Sequence, residues 1–159
     1  MSNIFSTLSI REMERTKIKR KYLFIAVKPE YANKLISGKK DIELRKMKPN
    51  VQSGDYVIIY ASAPVKAVLG FGKVKTIIEC TPKCLWEMHS NRLGINEHSY
   101  FTYYDGYNKA IGIEFDMIKS VTPIGLEELR KVDPYFQPPQ IYRYVTNEDI
   151  ITVLSKRIK

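Results

Sequence analysis

Residues 65–79 read as one long strand, rich in β-branched and apolar side chains, yet Gly70 and Gly72 stand inside it. Glycine within a strand commonly marks a bulge or a sharp bend, so this run predicts a sheet that curls. A second long run, residues 109–121, puts Ile111, Ile113, Phe115 and Met117 on one face and reads as a central strand. Three shorter strands precede them. Tyr22–Val27 is an apolar run that reads as a buried strand, and Tyr56–Ala61 follows the Gly54-Asp55 turn signal. Residues 40–46 alternate, with Ile42 and Leu44 on one face and Asp41, Glu43 and Arg45 on the other.

The helices are short. Pro29 opens one that carries Tyr31, Leu35 and Ile36 and stops at Gly38. Thr81-Pro82 starts another over about residues 82–93, ending near Gly94, and Asn96 caps a further turn. Residues 125–131 form a third, and Thr146 with Asp149 caps a last one bearing Ile150, Ile151, Val153 and Leu154. Parallel crossovers are not evident. The pattern predicts an α+β fold, a small mixed or antiparallel β-barrel flanked by short helices.

A chain of 159 residues makes about one domain, and 44% hydrophobic residues exclude a disordered one. The formal charge of +9 draws polyanions, of which nucleic acid and an anionic membrane are the broad classes, and it also serves solubility. No apolar run is long enough to span a bilayer and no secretory leader is visible, so the expectation is a cytoplasmic protein without a membrane partner. Residues 1–22 hold six Lys or Arg against two Glu. They read as a basic N-terminal arm, either an amphipathic helix or an extension that orders on phosphates through Arg15, Lys17, Lys19, Arg20 and Lys21, with a solvated tail as the plain alternative. The division expected is arm 1–22, barrel 23–145 and C-terminal helix 146–159.

Cys80, Cys84, His89 and His98 are four zinc-capable side chains in sequence, but four residues separate Cys84 from His89 where finger-type sites place about 12. Free thiols are expected, and neither a metal nor a cofactor.

The densest polar segment is Gly38-Lys39-Lys40-Asp41-Ile42-Glu43-Leu44-Arg45. Glu43 and Arg45 share a strand face about 6–7 Å apart, and Lys40 at the bend reaches the same cleft. Two cations and a carboxylate there could read a base edge and its phosphate, or move protons, or be a surface ion pair. Five aromatics, Tyr100, Phe101, Tyr103, Tyr104 and Tyr107, could stack on bases or seat a helix on the sheet.

The pattern Gly-x-Lys-x-x-Glu-x-Arg, intact as Gly38, Lys40, Glu43 and Arg45, resembles the signature of the ASCH domain, a PUA-like barrel family, in its stand-alone prokaryotic form. The Lys28-Pro29-Glu30-Tyr31-Ala32 segment before it, and Gly54-Asp55 and the Tyr60-Ala61-Ser62 strand end after it, extend the likeness over about residues 23–145. The resemblance implies an RNA- or nucleotide-binding fold acting in transcription or RNA metabolism, with a cleft beside the signature; Lys28, Lys40, Glu43, Arg45 and Ser62 are the candidate ligand-binding residues whose convergence on an open pocket a structure would test. The segment Pro138 to Tyr144 resembles one in related proteins, a stiff loop that either brings Gln140 or Arg143 to the cleft or serves as a packed connector.

One branch of that family deacylates acetylated cytidine with a Lys, a Thr three residues later and a helical Glu. Here Lys40 matches, Glu43 occupies the Thr position, and only Glu87 or Glu97 loosely matches the last, so the triad is not carried over. A ribonuclease activity is also associated with the family. Three functions follow as expectations. The first is a module binding RNA or another single strand, or a modified nucleotide. The second is a hydrolase of a modified nucleoside or RNA, with Lys40 and Glu43 as acid and base and Arg45 holding an oxyanion. The third is a protein-interaction role for the arm.

Overall fold

The computed structural model describes residues 20–140, 142–145 and 148–159. Arg15, Lys17, Lys19 and Thr146 lie outside them. Six strands, β1 (Tyr22–Val27), β2 (Ile42–Arg45), β3 (Tyr56–Ala61), β4 (Ala67–Cys80), β5 (Ala110–Gly125) and β6 (Tyr142–Tyr144), form one sheet in the order β2-β5-β4-β3-β1-β6. Among the described residues five α-helices accompany them: α1 (Pro29–Ser37), α2 (Pro82–His89), α3 (Glu97–Tyr103), α4 (Leu126–Val132) and α5 (Glu148–Lys156). The result is an α+β half-barrel with flanking helices. No helix among the described residues is long and apolar enough to cross a membrane.

Curling follows from β4 and β5, which pair from Ala67↔Gly125 to Cys80↔Ala110 with register breaks at Val68/Gly70, Lys73/Val74 and Val74/Thr76. Each break adds twist to the strand that carries it. Gly72 serves close packing, because a Cβ there would lie 2.5 Å from the Phe115 ring. The 109–121 run is longer than the sequence pattern suggested and lies between β4 and the edge strand β2 rather than at the centre.

One pairing makes the sheet mixed rather than antiparallel, although no parallel crossover is evident in the sequence. β1 and β3 are parallel, in register from Tyr22↔Tyr56 to Val27↔Ala61, and the other pairs are antiparallel. The crossover that joins them contains α1 and also β2, which leaves to pair with β5, so no simple strand-helix-strand pattern shows in the sequence. Parallel pairing in mid-sheet explains why β1 and β3 are apolar along both faces. Leu23, Ile25, Val57 and Ile59 pack beneath α1 with Leu35, while Phe24, Ile58 and Tyr60 face the opposite way with Leu129, Phe136, Ile150 and Leu154. The last helix is therefore part of this core.

Residues 81–109 leave the far end of the β4–β5 pair and return to it, carrying α2 and α3. Thr81 and Asn96 cap these helices by accepting from the Cys84 and Ser99 amides. Leu85, Leu93, Tyr100 and Tyr104 pack onto Ile42 and Leu44, the apolar face of β2. Tyr100 and Tyr104 thus seat the helix, the packing role among the two considered for the aromatic cluster.

Candidate nucleotide pocket at an open seam

β2 begins the sheet and β1 is its fifth strand, so curling brings them face to face without a shared ladder. A side chain spans the gap: the Arg45 guanidinium donates to the Ala26 carbonyl at 2.9 Å. Beside it opens a pocket of about 650 Å³, within the size range of small-molecule sites. Its floor is Lys40, Glu43 and Arg45, and one wall is the end of β1, the following Lys28, and Tyr31 of α1. The facing wall is a side of α3, formed by His98, Ser99, Thr102 and Tyr103, and Ser62 and Gln140 stand at the rim.

The backbone dictates the floor. Gly38, at φ 83°, ends α1 in the left-handed conformation and turns the chain so that the Lys40 amide donates to Lys34 O at 3.1 Å. Lys40 then runs along Gly94, whose φ of 64° and absent side chain both matter, because a Cβ would lie 2.9 Å from that of Lys40. Three and five positions on, Glu43 and Arg45 project from one face of β2.

Lys40 is 2% exposed and Glu43 6%. Lys40 Nζ donates to Leu93 O at 2.7 Å and lies 3.6 Å from Glu43 Oε1, while Arg45 donates to Glu43 Oε2 at 2.8 Å. One carboxylate thus faces two cations, a net single positive charge. Burial pushes the Lys40 amine below the usual lysine range, and Arg45 and Lys34 push the same way against the opposing pull of Glu43. Burial also raises the phenols of Tyr31 and Tyr103, which therefore remain neutral hydrogen-bonding groups at pH 7. Such a set can hold an anion, accept from a base amine, or accept and return a proton.

Of the residues proposed from sequence, Lys28, Lys40, Glu43, Arg45, Ser62 and Gln140 meet at this pocket. Arg143 does not line it. Its guanidinium donates to Gln137 O at 3.2 Å and lies 5.0 Å from the Phe136 ring, securing the loop that carries Gln140. Arg20 and Lys21 sit at the other end of β1, where Arg20 donates to Ser53 O and the Lys21 amide to Asp55. Asp41, placed by alternation beside Glu43 and Arg45, precedes β2 and instead forms a two-pronged pair with Arg92 at 2.9 and 3.0 Å. Glu87 is exposed beside Lys83, and Glu97 lies on a neighbouring depression. Among the described residues no three His, Cys, Asp or Glu side chains gather as metal ligands, and Cys80 and Cys84 are free thiols.

The α3 wall is only partly legible in sequence: Tyr103 is among the rings considered for stacking on bases, whereas His98, Ser99 and Thr102 are not read as pocket residues. Its signal was the i, i+4 spacing of His98 with Thr102 and Ser99 with Tyr103, offset from Tyr100 and Tyr104, which defines the polar face of a helix whose other face is core.

The ASCH domain family model matches residues 25–130, from β1 into α4, and the chain belongs to this family. Over 136 residues it is 31% identical to the ASCH domain-containing ribonuclease of Zymomonas mobilis, covering 86% of this chain and 92% of that protein. The crystal structure of ASCH from Zymomonas mobilis is similar with a TM-score of 0.82 at 30% identity, covering 87% of this chain and 97% of that one. The N-terminal domain of Staphylothermus marinus McrB shares the fold alone, with a TM-score of 0.51 at 12% identity over 85% of this chain and 93% of its own.

Proposed function

We propose that the protein acts on RNA, taking one nucleotide of a single strand into the seam pocket. The observation that carries this is the buried Lys40–Glu43–Arg45 floor, two cations around one carboxylate at the base of an open pocket. Its surplus positive charge suits a phosphate or its ester, Glu43 offers an acceptor to a base amine, and Tyr31 and Tyr103 offer rings. The kinship with a protein described as a ribonuclease favours RNA as the polymer. In this reading the basic side chains of the N-terminal segment, Arg15, Lys17, Lys19, Arg20 and Lys21, add affinity for flanking phosphates. With about four to six phosphates neutralised, log affinity against log salt falls with a slope near −3 to −4 for single strands. Titration of a labelled single-stranded RNA at several salt concentrations tests this. A flat response, or undiminished affinity in Lys40→Met and Arg45→Met, overturns it.

Hydrolysis of RNA is the second reading, favoured by the lowered proton affinity of Lys40 beside Glu43. A base of this pair would take the 2′-hydroxyl proton, the 2′-oxygen would attack phosphorus, and the 5′-oxygen would leave with a proton returned by the acid partner, while Arg45 holds the phosphoryl charge. Incubation of labelled RNA, and of acetylated cytidine, with wild type and Lys40→Met decides it. Cleavage of RNA that vanishes in the variant supports this reading. Intact binding without cleavage leaves a binding module, and turnover of acetylated cytidine alone makes the pocket an amidohydrolase.

A further inference from the structure

Next to the pocket, though not among its lining residues, the residue after Arg45 is held between two rings. Lys46 Nζ lies 4.6 Å from the centre of the Tyr103 ring and 4.7 Å from that of Tyr107. Among the described residues it has no carboxylate partner within 4 Å, unlike Lys48, Lys75, Lys83 and Lys109, which all pair with Glu. Aromatic faces fix an ammonium without neutralising it, so its charge stays available to an anion. The mount is rigid on the pocket side. Tyr103 lines the pocket and packs edge-on against Tyr104 at 4.8 Å, and the buried Tyr104 hydroxyl donates towards Arg45 O at 3.0 Å and Ile111 O at 3.3 Å. Tyr107, by contrast, is 48% exposed and free to accept a second ring.

The other flank of α3 has the opposite charge. There a shallower depression of about 330 Å³ is lined by Glu97, His98, Phe101, Thr102 and Asp105. Its two carboxylates repel phosphate, so a strand leaving the pocket meets a cation on one side of α3 and anions on the other.

We propose that Lys46, Tyr103 and Tyr107 form a second nucleotide subsite, resting on the pocket reading above. Lys46 pairs with the phosphate that follows the pocket nucleotide, and the next base stacks on Tyr107. The bound strand thereby exits over the end of β2.

The test compares two probes, the four ribonucleoside monophosphates and a mixed-sequence hexaribonucleotide, on the full chain. Tyr107→Ala should weaken the hexamer about tenfold and leave the monophosphates within about twofold, while Tyr107→Phe, which keeps the ring, should behave as wild type. Lys46→Ala should lower the salt slope for the hexamer by about 0.7. Equal losses on both probes, or no loss on the hexamer, overturn the subsite and leave the pocket reading standing. Wild-type protein that binds neither probe overturns the pocket and the subsite together.

Discussion

Two charged clusters leave the same short stretch of chain in opposite directions. Glu43 and Arg45 enter the seam and join Lys40, all largely withdrawn from water, and no apolar packing fills the space above them. Asp41, two residues earlier, turns outward to Arg92, which also donates to Glu114 at 2.7 Å, with Lys75 nearby. The outer cluster is geometrically the better satisfied, and although Glu114 is buried, Asp41 and Arg92 are partly hydrated, which moderates its energy. The inner one retains a carboxylate between two cations where desolvation opposes every charge. A fold seeking stability alone would gain little from such a floor, and a pocket that binds a charged ligand needs it.

The comparison breaks most visibly at Glu43. Glu43→Ala leaves Lys40 and Arg45 facing each other without a counter-charge and should cost about 3 kcal/mol in a urea titration. A loss under about 1 kcal/mol would mean that the floor is as hydrated as the surface. Gly94→Ala forces a side chain into the left-handed region and against Lys40, so about 2 kcal/mol is expected, with weaker RNA binding.

The pH dependence sharpens the same contrast. Because burial lowers Lys40 in the folded chain, the unfolded chain binds more protons between the folded-state value and 10.5. Wild-type stability should therefore rise with pH across that window relative to Lys40→Met, whose curve lacks the increment. Identical curves would place Lys40 in water. The smallest effect belongs to the outer cluster, where Arg92→Ala takes the nearest cation from the buried Glu114 but Lys75 and water remain, so it should cost about 1 kcal/mol in the same titration and leave RNA affinity unchanged.

Much of this architecture is legible in the sequence because local rules and tertiary packing agree. Pro29 and Gly38 bound α1, and the caps at Thr81 and Asn96 open helices where the side-chain pattern places them. The parallel β1–β3 pair is not legible, since its crossover diverts through β2, and a run that is apolar on both faces marks burial without naming the partner strand. The pocket divides in the same way. Its floor lies within six residues and follows from turn and strand geometry, whereas His98 and Thr102 arrive from a distant insertion whose return to the seam no local spacing encodes. Arg143 shows the converse limit: its neighbour Tyr142 pairs with Ile25 beside the seam, but the guanidinium folds back onto its own loop.

The most direct test of the account is to titrate the isotope-labelled full chain with a ribonucleoside monophosphate and follow its backbone amide resonances. Shifts should gather at residues 26–28, 40–45 and 98–103, the three segments that enclose the seam. Shifts confined to residues 1–22 or to the Asp41–Arg92 surface, with those three segments unmoved, would contradict it.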